Sequence, residues 1–243
     1  MRFRCIRAEL LKLGNSKIWL IAVVLPLAGV FIGTGNYYMN QGILSKEWYS
    51  LWTQVSLFYA GFFYPAAIAV FCSYLCRLEH LNRNWNKVMT MPVPVGSIYI
   101  AKLISVTVLI VVTQAVLAVF YWIAGRVVGI SGPFPVEFWG WMLRGGLGAV
   151  TIGALQLILS IRLRSFAAPV GICLFLCILG FGFFLKAGGI YFPYSFLIQG
   201  MSAISQEGFS EKDNILFVVM NGVFLAGATG YIKYFFYKKD IIA

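Results

Sequence analysis

The chain has 243 residues, of which 60% are hydrophobic and 11% charged, where soluble domains carry about 25% charged residues. Too few charges remain to cover a globule, which excludes an ordinary soluble enzyme, a disordered chain and a disulfide-rich scaffold. The formal net charge of +11 sits in short clusters beside long apolar runs, which points to an anionic membrane surface rather than to nucleic acid.

Residues 1–17 open the chain with an amphipathic helix. Phe3, Ile6, Leu10 and Leu13 recur at helical spacing as one apolar stripe, and Arg4, Arg7, Glu9 and Lys12 fall off it. Such a basic helix lies in a membrane interface. Gly14-Asn15-Ser16 breaks it, and Ser16 is placed to N-cap the first membrane span.

Crossing about 30 Å of hydrocarbon takes about 20 apolar residues. Six stretches qualify: Ile18–Tyr37, Val55–Tyr74, Ile98–Ala124, Gly140–Ile161, Phe166–Leu185 and Ile215–Tyr234. The first is longer than the apolar region of a signal peptide and no A-x-A site comes after it, so it reads as a retained span. Pro26, Pro65 and Pro169 lie within spans, where membrane helices tolerate them and kink. The expected fold is an all-α integral membrane protein, with residues 1–243 forming a single six-span domain. Arg2, Arg4, Arg7, Lys12, Lys17, Arg77, Arg83, Lys87, Lys102, Arg162, Arg164, Lys233, Lys238 and Lys239 fall on one side, and these are 14 of the 19 basic residues. Lys46, Arg126, Arg144, Lys186 and Lys212 fall on the other. By the positive-inside rule both termini are cytoplasmic and the chain is a multi-pass protein of the cell membrane.

Between the second and third spans, residues 75–97 form a cytoplasmic loop. Within it Leu78, Leu81, Trp85, Val88 and Met89 share one helical face, Glu79, Arg83 and Lys87 lie opposite, and Pro92 and Pro94 end the run. A short amphipathic helix of this kind floats on the membrane or presses into a partner's groove. On the other side, Trp48, Trp52, Trp122, Trp139 and Trp141 collect near span ends with Tyr37, Tyr38 and Tyr191, as interfacial anchors or as a site for an amphipathic ligand. The external loop 186–214 carries apolar pieces too short to span, Gly188–Pro193 and Phe196–Ile198, which fit a re-entrant or interfacial element.

No catalytic or metal constellation stands out. His80 is the only histidine, and Cys72, Cys76 and His80 share a four-residue spacing that buried structural cysteines also produce. Five cysteines without a loop pair imply no disulfide framework. The spans hold no central Asp or Glu of the kind that proton-coupled transporters use. Gln54, Gln114 and Gln156 remain, with Thr107, Thr113 and Thr151, either as helix-to-helix hydrogen bonders or as the lining of a transport path. There is no G-x-x-x-x-G-K-[ST] phosphate loop, so energy for uphill transport has to come from another polypeptide.

Arg7-Ala8-Glu9-Leu10-Leu11-Lys12-Leu13 before the first span, and Glu79, Asn84-Trp85-Asn86, Met91-Pro92-Val93-Pro94, Tyr99 and Lys102 around the second loop, resemble type 2 ABC exporter permeases. The likeness is greatest to the lantibiotic immunity permeases of Gram-positive bacteria. The resemblance implies a connecting helix around Phe3–Leu13 and a coupling helix around Leu78–Met89 that docks on a separate ATPase dimer. Trp85 would be its apolar anchor, with Glu79, Arg83, Asn86 and Lys87 completing the contact. It implies a second permease chain, identical or homologous. ATP and Mg would be bound by the ATPase, with no cofactor in this chain. The cargo would be a lantibiotic-type peptide taken from the membrane lipid, along a path for which Gln54, Gln114 and Gln156 are the candidates. Other cargo (a drug, a lipid or a bacitracin-like peptide), a sensory or structural membrane partner, and an intramembrane hydrolase are the competing readings.

Overall fold

A computed structural model describes residues 2–14, 16–81, 85, 93–186, 188–204 and 209–238. Arg83, Asn86, Lys87, Lys239 and most of the amphipathic run after Leu81 lie outside the described residues. Among those described, all regular structure is helical, and six helices are long and apolar enough to cross a membrane. In chain order the helices are α1 (Arg2–Gly14), α2 (Ile18–Met39), α3 (Glu47–Phe58), α4 (Tyr64–His80), α5 (Val95–Val127), α6 (Glu137–Arg162), α7 (Ala167–Leu185), α8 (Phe196–Gly200) and α9 (Glu211–Lys238). Helices α3 and α4 together make the second span.

That span starts at Glu47 rather than near Val55, because Trp48, Leu51 and Trp52 are buried against other helices and the helix continues as far as they do. A π turn at Tyr59–Phe63 separates its halves, and the cause is Pro65. A proline lacks the N–H for an i−4 bond and its ring crowds the carbonyl of residue i−4, here Gly61. Widening the ladder at that point keeps the helix continuous. Pro169 falls in the first turn of α7, where its missing N–H breaks no helical bond.

The second span is the centre of the bundle, with 61% of its apolar window buried, against 22% for α7 and α9. Helix α4 packs on α6 and α7, α2 on α3 and α5, α1 on α5, and α9 chiefly on α6. Hydrocarbon does not drive apolar helices together, so close packing has to. Gly33 allows it between α2 and α3, since a Cβ there would collide with the backbone of Val55.

The bundle has two unlike ends. At the end formed by the start of α3, the start of α6 and the finish of α5, Trp48, Trp52, Tyr121, Phe134, Phe138 and Trp141 interlock at centroid distances of 4.9–5.9 Å. Aromatic pairs in such geometries contribute about 0.5–1.5 kcal/mol each beyond buried area. Trp48, Trp52 and Trp141 are buried, so they are packing elements and not interfacial anchors. Trp122 and Trp139 are exposed. Residues 189–203 fold back beneath this end as two 3-10 turns and α8. Gly180 lets the Tyr194–Ser195 backbone lie against α7, and Trp52 Nε1 donates to the Met201 carbonyl at 2.8 Å.

Candidate functional site

At the opposite, basic end, three helices bring four charges together. Helix α1 supplies Glu9 and Lys12, one turn apart and paired at 2.7 Å. Glu79 stands in the last turn of α4 and takes Lys12 at 2.5 Å. Lys102, two turns into α5, reaches Glu9 at 3.1 Å and Glu79 at 3.3 Å. It also donates to the Leu75 carbonyl at 3.1 Å.

Lys102 has no solvent exposure and the two carboxylates have under a tenth. Removing isolated charges from water costs several kcal/mol each, and the cluster offsets that by neutrality, two carboxylates against two ammoniums. Burial alone would lower the Lys12 ammonium, but hydrogen bonds to Glu79 and Glu9 outweigh it and hold it above the ordinary lysine range. The cluster locks helix α1 to the basic ends of the second and third spans.

The anchoring extends past α4. Trp85 is buried at 1% exposure, edge-on to His80 at 5.8 Å and beneath the Lys102 ammonium at 6.0 Å. His80 Nε2 is hydrogen-bonded with the Ser160 carbonyl of α6 at 3.0 Å. The Cys72 thiol bonds the Gly153 carbonyl of the same helix.

The Trp85 indole makes its contacts within this chain. Glu79 faces Lys102 and Lys12 within the bundle rather than forming an outer rim. Of the residues expected at the coupling site, the structure therefore brings Glu79 and Trp85 together around Lys102.

The three glutamines do not converge. Gln54 accepts from Asn36 Nδ2 at 2.7 Å near the aromatic end, Gln156 donates to the Pro169 carbonyl at 2.5 Å, and Gln114 donates to the Met142 carbonyl at 3.3 Å. The threonines bond the carbonyl four residues back, and Thr151 also donates to Asn221 Oδ1 of α9 at 2.5 Å.

In the sequence Lys102 stands as a flanking charge and as a motif residue, with nothing to mark it as buried. Its spacing from Tyr99 and Val106, both buried, marks the inward face, but α5 is apolar all round and the pattern alone does not single that face out. Arg144, in the sequence one of the basic residues of the other side, also has partners within the bundle. It donates Nε to the Gly200 carbonyl at 3.1 Å and Nη1 to Asn214 at 3.3 Å, and lies 4.7 Å from the centre of the Phe209 ring. A cation on the last carbonyl of α8 suits a helix C-terminus.

The family model described as ABC-2 family transporter protein matches residues 5–180, a stretch that contains all four cluster residues. The chain belongs to the ABC-2 transporter family. No curated protein and no solved structure matches it. As an ABC-2 permease it is a multi-pass transport component, distinct from the ATPase, and it works in association with an ABC ATPase. The cluster joins α1, α4 and α5 of this ABC-2 permease at one point.

Proposed function

We propose that this ABC-2 permease is the membrane part of an ATP-driven exporter that removes lantibiotic-type antimicrobial peptides from the cell membrane. In this reading Glu9, Lys12, Glu79 and Lys102 carry the ATPase's movement into the spans. The observation behind it is the buried, charge-neutral cluster at the end of α4. The loop from Glu79 towards Pro94 leaves from that point, so displacement of the loop acts at once on α1, α4 and α5. The basic excess on this side supports the reading that it faces the cytoplasm, where ATP is available. The cargo rests on the likeness of the Arg7–Leu13 and Glu79–Lys102 motifs to lantibiotic immunity permeases.

Arg83, Asn86 and Lys87 complete the docking surface, with Trp85 holding its base. A second permease chain and an ATPase dimer complete the transporter. The test is copurification with the candidate ATPase, followed by hydrolysis with and without a lantibiotic. Hydrolysis that responds to the peptide supports coupling and cargo together. A stable complex indifferent to the peptide removes the cargo, and the lack of any complex removes the coupling role.

A further inference from the structure

Arg144 stands in α6 towards the aromatic end of the bundle and is half-buried. Its Nε donates to the Gly200 carbonyl, its Nη1 to Asn214 Oδ1, and the Phe209 ring centre is 4.7 Å away. All three partners are neutral. No carboxylate among the described residues pairs with Arg144, whereas Lys12 and Lys102 at the other end each face both Glu9 and Glu79. Glu211 and Asp213, in the first turn of α9, are exposed, and Asp213 accepts from the Ser210 hydroxyl at 2.7 Å. Arg144 Nη2 makes no hydrogen bond with the described residues and is not enclosed by them, so its two N–H groups are open to the surface.

A charge taken from water without a counter-charge costs several kcal/mol, and cations in a membrane protein pair or reach for the interface. Helix α6 has 26 residues. At 1.5 Å per residue it is about 39 Å long, so about 4–5 Å extends beyond each face of a hydrocarbon layer of about 30 Å. The guanidinium turns back along α6 to the level of Gly140, where a Cβ would stand 3.3 Å from Nη1. That level is about 4–5 Å from the start of the helix, at the boundary where the lipid headgroups begin. Phosphate is the anion every phospholipid brings there, and the edge of a guanidinium matches two phosphate oxygens. We propose that Arg144 holds the phosphate of one phospholipid in the leaflet at the aromatic end, beside the contact of α6 with α9. The lipid supplies the missing negative charge where α6, α8 and α9 meet. This site is separate from the ion cluster and does not rest on the coupling reading.

The full chain, stripped of lipid in detergent, is titrated by native mass spectrometry with phosphatidylglycerol, with diacylglycerol of the same tails, and with inorganic phosphate. The unsubstituted chain is expected to hold one phosphatidylglycerol that Arg144→Gln binds about tenfold more weakly, the loss of a hydrogen bond to a charged group. Diacylglycerol should bind both proteins alike. Lipid held at the basic end is common to both and cancels. Arg144→Lys, which keeps the charge without the fork, is expected to show a smaller loss and carries the test if the glutamine variant does not fold. Phosphatidylglycerol binding unchanged in the variant that folds overturns the proposal, and so does an equal loss for diacylglycerol, which marks a change of packing. Inorganic phosphate that displaces this lipid at equal concentration marks a free-anion site and overturns the lipid. Finally, Glu207→Gln/Glu211→Gln/Asp213→Asn should melt close to the unsubstituted chain. A fall equal to that of Arg144→Gln shows the charge balanced within the chain and overturns the proposal.

Discussion

At Lys102 an ammonium without solvent contact faces two carboxylates, so Lys102→Met leaves Glu9 and Glu79 with Lys12 alone. Breaking a buried ion pair from one side costs about 3–5 kcal/mol, and the melting temperature in detergent should fall accordingly. Glu79→Gln added to Lys102→Met leaves the balanced Glu9–Lys12 pair and should recover most of the loss. If the double variant melts as low as the single one, charge balance is not what the cluster provides. Lys12 gives a pH signature. Its value is raised on folding, so its contribution is complete below about pH 10.4, the unperturbed lysine value, and disappears as pH rises through the raised one. Melting should therefore be flat from about pH 7 to 9 and fall above about pH 10.5, and the fall should shrink in Lys12→Met.

Helices in this protein are held by particular close approaches. Gly33→Leu would force a side chain into the backbone of Val55, parting α2 from α3, and should abolish recovery of folded protein. Trp52→Phe keeps an aromatic ring, a smaller one, but strands the Met201 carbonyl that Trp52 Nε1 now serves, at a cost of about 1–3 kcal/mol. Hydrogen exchange in residues 196–203 should quicken while α4 and α5 stay protected, and uniform protection would show that the bond does not hold α8 in place. At this scale much was legible in the sequence. An apolar run of about 20 residues has few alternatives to a span, so the six spans stand out. Their inward faces do not, because α5 is apolar on every side. The same lack of contrast hid Lys102 as a buried partner and made three packed tryptophans look like interfacial anchors. The residues of the cluster were in view as motif residues; their convergence from α1, α4 and α5 depends on the packing of helices far apart in sequence.

Across the whole molecule the second span connects two rigid ends. Helix α3 is fixed in the aromatic cluster through Trp48 and Trp52, α4 is fixed in the ion cluster through Glu79, and the π turn at Tyr59–Phe63 lies between them. In the proposed coupling, a displacement entering at Glu79 would reach α5 directly through Lys102 and the far end of the bundle through the second span. The most direct measurement is ATP hydrolysis by the permease–ATPase complex in nanodiscs, comparing the unsubstituted permease with Glu79→Gln/Lys102→Met. The complex should still assemble, and the permease-dependent change in hydrolysis rate should be lost. A double variant that assembles and changes the rate as the unsubstituted permease does would contradict transmission through the cluster.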